Sequence, residues 1–81
     1  MPTVLRTGPY RFYFWSHELG EPPHIHVDRD MLSAKFWLQP VSLARSIGFR
    51  AHELRKIQDV ITEHLAEFME AWNGHVGPGG G

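Results

Sequence analysis

In Glu21-Pro22-Pro23-His24-Ile25-His26-Val27-Asp28, two imidazoles and a carboxylate recur at every second position behind a double proline. On a strand, residues two apart share a face and lie roughly 6.5–7 Å from one another. His24, His26 and Asp28 would therefore stand in a row, with Ile25 and Val27 pointing the other way. Three kinds of chemistry suit such a row. Neutral imidazoles and a carboxylate are ligands for a divalent ion, with His17, Glu18, Glu21 or His52 to complete the shell. One histidine can take a proton from a phosphodiester and the other return one, while a cation steadies the developing charge. Or the rings are the polar side of an antiparallel sheet, or fill an interface with a second subunit.

Which chemistry applies depends on the neighbouring elements. Thr7-Gly8-Pro9 is turn chemistry and separates a short extended start, Thr3 to Arg6, from Tyr10-Arg11-Phe12-Tyr13-Phe14-Trp15. Aromatic side chains pack well on a pleated surface, so this run reads as a strand. Tyr10, Phe12 and Phe14 then share one face, and Arg11, Tyr13, Trp15 and His17 the other. Ser16 to Glu21 is a polar connection. Pro22 and Pro23 hold the chain extended as it enters the next strand. Ala34 to Leu38 alternates again, so a hairpin follows. If Asp30 and Met31 form its turn, His26 falls opposite Lys35 and His24 opposite Trp37, with Ile25, Val27, Ala34, Phe36 and Leu38 on the apolar side. The histidine side is then the wet side. Pro40 opens a further short extended piece, Val41 to Ala44, and Gly48 closes the next turn.

That register weighs against a metal, because Lys35 beside His26 repels a cation. The proton-transfer reading assigns catalytic roles to His24, His26 and Lys35, with no metal and no cofactor, and makes any enzymatic activity that of a metal-independent ribonuclease. Arg11, Tyr13, Trp15, Asp28 and Trp37 would be binding residues, since aromatic rings on a sheet stack exposed bases. Against it, two tryptophans on a polar face form a patch of the kind that marks a protein contact.

From Ala51 to Trp72 the apolar residues Leu54, Ile57, Ile61, Leu65, Phe68 and Trp72 recur at spacings of three and four, which predicts a helix that stops at Asn73-Gly74. Thr62, three residues before Leu65, is half a capping box and a candidate break. Arg50, Arg55 and Lys56 lie near the start and Glu63, Glu67 and Glu70 near the end, against the preference of a single helix dipole.

Composition bounds the rest. A chain of 81 residues holds one domain with a thin core, read as residues 1–75 followed by a flexible glycine-rich tail over 76–81. There is no cysteine to staple it, so a homo-oligomer or a partner protein is the expected support. The net charge of −1 supplies no global field for nucleic acid, so RNA binding would need a local patch. No secretory leader and no membrane-length apolar run is present, and a cytoplasmic location is expected.

Met1-Pro2-Thr3-Val4, Pro22-Pro23-His24-Ile25-His26-Val27, Ala34 to Leu38, Gly48-Phe49 and Glu70-Ala71-Trp72-Asn73 together resemble the small bacterial domain of unknown function family 4160. The likeness marks Pro22, Pro23, His24 and His26 as signature positions without roles, and implies a setting beside another small protein in a toxin–antitoxin pair. The family pattern places Ser where this chain has Arg50, so a helix-capping oxygen is missing here. The expectation is an α+β domain: a three- to four-stranded antiparallel sheet with one long C-terminal helix, or that helix broken in two, over its apolar face. Its function is expected to be that of a toxin–antitoxin-type protein binding or cleaving RNA through the His24/His26 face. The alternative is a non-enzymatic interaction module, as homodimer or partner of a cognate small protein, with a divalent-metal-binding domain third.

Overall fold

The computed structural model describes residues 3–15 and 20–76. Strands β1 (Thr3–Thr7), β2 (Tyr10–Tyr13), β3 (His24–Arg29), β4 (Leu32–Leu38) and β5 (Val41–Ile47) form one antiparallel sheet in chain order, and helices α1 (Ala51–Glu63) and α2 (Leu65–Val76) follow. The α+β class agrees with the sequence reading. The sheet has five strands instead of three or four, and the helical segment is the broken form, two helices and not one long one.

The extra sheet comes from the edges. β1 pairs along β2 through a turn in which Gly8 takes a φ of 55°, a conformation natural to glycine. β5 continues three residues beyond Ala44 because the alternation is shifted and not ended there. Lys35 pairs with Arg45 and Phe36 with Leu43, leaving Ala44 as an extra residue in the strand. The central hairpin has the expected register, His24 opposite Trp37 and His26 opposite Lys35, with Asp30 at φ 55° in its turn.

Phe12, Ile25, Val27, Phe36 and Leu38 from the sheet, with Phe14 just past β2, meet Ile57, Ile61, Phe68 and Trp72 from the helices in one buried cluster. Helices of 13 and 12 residues are marginal alone, so this shared apolar stripe is what holds them. The break falls at His64, two residues beyond Thr62. The Thr62 hydroxyl donates back to the Gln58 carbonyl at 2.9 Å, which loosens the last turn of α1. His64 Nδ1 then lies 2.9 Å from Glu67 in the first turn of α2. The break revises the charge argument, because Glu67 now sits at a helix N-terminus, where the dipole favours it. Arg50 is the N-cap of α1 and makes no side-chain capping bond.

α2 runs past Asn73-Gly74 to Val76, so the expected stop is overrun. The tail from Gly77 onward lies outside the described residues, as do His17 and Glu18. Among the described residues, no helix is long and apolar enough to cross a membrane.

Candidate functional site

The histidine face is organised by a row running across four strands. Tyr13 pairs with His26, His26 with Lys35 and Lys35 with Arg45. Alternation aims these side chains away from the helices. Their rings and cations converge on a pocket of about 150 Å³ lined by Tyr13, Trp15, His26, Ser33, Ala34, Lys35, Arg45 and Ile47.

Within it, His26 stacks on Tyr13 with ring centroids 5.5 Å apart and meets the Trp15 ring edge-on at 6.0 Å. Tyr13 is fixed from both sides. Its hydroxyl donates to Asp28 Oδ1 at 3.1 Å, and the Arg11 guanidinium lies 4.7 Å over its ring. Lys35 reaches Glu21 at 2.5 Å and passes 4.8 Å from the Trp37 ring centroid. Arg45 is exposed and makes no ion pair among the described residues.

This face is less wet than its residue types suggest. His24 is 0% and His26 5% exposed, and Tyr13 is buried with them. His24 lies beneath Trp72 at a centroid distance of 4.9 Å, with Trp37 at 5.9 Å and His26 at 5.3 Å completing its enclosure. Trp72 comes from α2 and also packs edge-on against Phe14 at 5.4 Å on the apolar side. The helix therefore closes the end of the sheet and seals one histidine. Its Nδ1 is 2.9 Å from the Pro22 carbonyl. A carbonyl can only accept, so Nδ1 carries the proton and the tautomer is set. The double proline thus supplies a positioning oxygen as well as a stretched backbone.

The expected site residues divide accordingly. Tyr13, Trp15, His26 and Lys35 share the pocket, while the buried His24 and the half-buried Trp37 flank it, and Asp28 and Arg11 brace Tyr13. Arg45 and Ile47 complete the pocket but were not expected there, because the alternation rule stops β5 at Ala44. Glu21, which the sequence offers as a ligand to complete a metal shell, is the partner of Lys35. Among the described residues no three His, Cys, Asp or Glu side chains converge as a metal shell would require.

A second polar cluster ties helix to sheet at the far end. The Arg29 guanidinium grips Glu53 through Nε at 2.5 Å and a second nitrogen at 2.8 Å, and the Tyr10 hydroxyl donates to the same carboxylate at 2.8 Å. The hydrogen bond from Arg29 holds the Glu53 carboxyl below its ordinary range and raises the guanidinium in return. Burial first, and then the Glu53 carboxylate, push the Tyr10 phenol up. Every charged oxygen here is occupied, so the cluster is a clamp for the start of α1. No local sequence signal joins positions 10, 29 and 53.

The family model described as Domain of unknown function (DUF4160) matches residues 10–73. The chain belongs to the DUF4160 family. The DUF4160 match begins at β2 and takes in the pocket, the buried His24 and the Trp72 that covers it. No curated protein and no solved structure gives a significant match.

Proposed function

We propose that this DUF4160 domain is an RNA-binding module, which takes a phosphate and a neighbouring base of a single strand at the Tyr13–Trp15–His26–Lys35–Arg45 pocket. The observation that carries the reading is the cross-strand row itself, which sets ring faces beside two cations on one side of the sheet. A pocket of about 150 Å³ suits one phosphate or one protruding group, not a drug-sized cofactor. Arg45, unpaired among the described residues, supplies charge for a phosphate. Trp15, 45% exposed, supplies a stacking surface at the rim.

Binding is favoured over cleavage by the enclosure of His24. Acid–base cleavage needs two groups within reach of the phosphodiester, and among the described residues His26 is the only histidine of the pocket lining. The setting that goes with this reading is the one the family resemblance implies: a prokaryotic, cytoplasmic member of a toxin–antitoxin-type pair. A protein-interaction role shares the surface, because Trp15 and Ile47 place exposed apolar area at the pocket rim.

Fluorescence anisotropy with labelled single-stranded RNA of mixed sequence tests the proposal. Micromolar binding that weakens with salt is expected, since nonspecific sites typically fall near 10⁻⁴–10⁻⁶ M. Arg45→Ala and Trp15→Ala should each weaken it about tenfold or more, a lost stacked base costing roughly 1–3 kcal/mol. The RNA should stay intact in chelator. Lack of binding at about 100 μM protein in low salt would refute the reading.

A further inference from the structure

β5 is the outermost strand on its side of the sheet, seven residues long, with Arg45 its only charge. Leu43 is 43% and Ile47 61% exposed. Long apolar edges are templates for another strand, and proteins blunt them with charges, a proline or a bulge, of which β5 carries one charge and the bulge at Ala44. The opposite edge, β1, is five residues long and carries Arg6.

The register shift gives β5 a face pattern that selects its partner. Val41, Leu43 and Ser46 follow Leu38, Phe36 and Ala34 onto the core side, while Ser42, Arg45 and Ile47 follow Trp37, Lys35 and Ser33 onto the histidine side. Directly opposed residues of an antiparallel pair must share a face. Pairing β5 with its own copy about Ala44 fails, because Ser42 would oppose Ser46 from the other face. Moving the two-fold axis to the Ala44–Arg45 peptide removes the conflict. Ser42 then opposes Ile47 on the histidine side and Leu43 opposes Ser46 on the core side. Ala44 opposes Arg45, so the extra residue in one strand is answered by that in the other.

We propose that β5 is a homodimer edge, and that two copies join antiparallel about the Ala44–Arg45 peptide into one ten-stranded sheet. An isologous contact of this kind closes on itself, which fits an edge patterned for its own copy. Each Arg45 faces the partner's small Ala44 and not the partner's Arg45. Arg45 and Ile47 line the pocket, so the seam runs beside both pockets and brings them onto one surface. The two His26 rings are five strand spacings apart, about 24 Å. The inference does not depend on what the pocket binds, and its test contains no RNA.

Sedimentation velocity of the full chain, from about 1 to 200 μM, tests it directly, since a seven-residue edge forms a modest interface whose dimer dissociates on dilution. The mass should rise with concentration from 9.3 kDa toward twice that value. Ala44 is exposed, so charge is tolerated there in the monomer. Ala44→Lys places a cation against each Arg45 and should raise the dissociation constant roughly threefold or more, while Ala44→Glu should lower it by a similar factor in low salt. Far-UV circular dichroism checks that both variants fold. A monomer throughout the range, including a monomer that captures some other extended segment, overturns the proposal. Equal effects of Lys and Glu overturn the register.

Discussion

Replacing His24 with alanine should cost stability, not a surface reaction. The ring is fully enclosed by Trp72, Trp37 and His26. Its removal leaves a gap of about 60 Å³, which at about 24 cal/mol per Å³ of cavity is about 1.5 kcal/mol. Loss of the hydrogen bond to the Pro22 carbonyl adds about 1 kcal/mol. The sum, about 2.5 kcal/mol, corresponds to a melting temperature roughly 15 °C lower for a domain of this length. His26 lines a pocket that is already open, so His26→Ala should lower it by only about 6 °C, near 1 kcal/mol, and should instead weaken ligand binding. Thermal unfolding followed by circular dichroism, with urea titrations to check the slope, measures both. A His24→Ala protein that melts within about 3 °C of the parent would show that the ring is not enclosed as described, and the division of labour between the histidines would fall with it.

The Arg29–Glu53–Tyr10 clamp has a pH signature. The folded Glu53 carboxyl lies below its ordinary value of 4.5, so its contribution is complete above that value and is lost as pH falls through the lower folded one. Glu53→Gln should lower stability at neutral pH and flatten the decline below pH 4.5, read from urea midpoints between neutral and acid; an unchanged acid limb would remove the clamp from the account. Gly48 has a φ of 90°, and a β-carbon there would collide with the Leu32 side chain. Gly48→Ala should therefore cost about 1–3 kcal/mol, and a neutral effect on the melting temperature would refute the strain.

Much of the sheet was legible because its logic is local. Alternation in His24 to Asp28 and in Ala34 to Leu38 sets His26 opposite Lys35 once Asp30 and Met31 form the turn, and the strands pair in that register. Period alone cannot carry a register shift, so Arg45 and Ile47 were lost from the site along with the end of β5. The break at His64 turns on a hydroxyl that bonds backward and a histidine–glutamate pair, neither of which disturbs the three- and four-residue apolar spacing. The sealing of His24 was least visible. A strand pattern assigns a residue to a side of the sheet but cannot reveal that a tryptophan from the last helix folds around the end to cover it.

That tryptophan joins positions 24 and 72, whereas every pairing in the sheet is between consecutive strands. Neighbouring strands close short loops and can form early, while a contact of such sequence separation bears a larger loop-closure cost. The cover over His24 should thus form after the sheet, and it rests on a side-chain contact from α2 and not on a ladder of strand hydrogen bonds. The Trp72 contact can lift without breaking any strand pairing, so the His24 ring becomes accessible in a smaller excursion than the opening of the sheet.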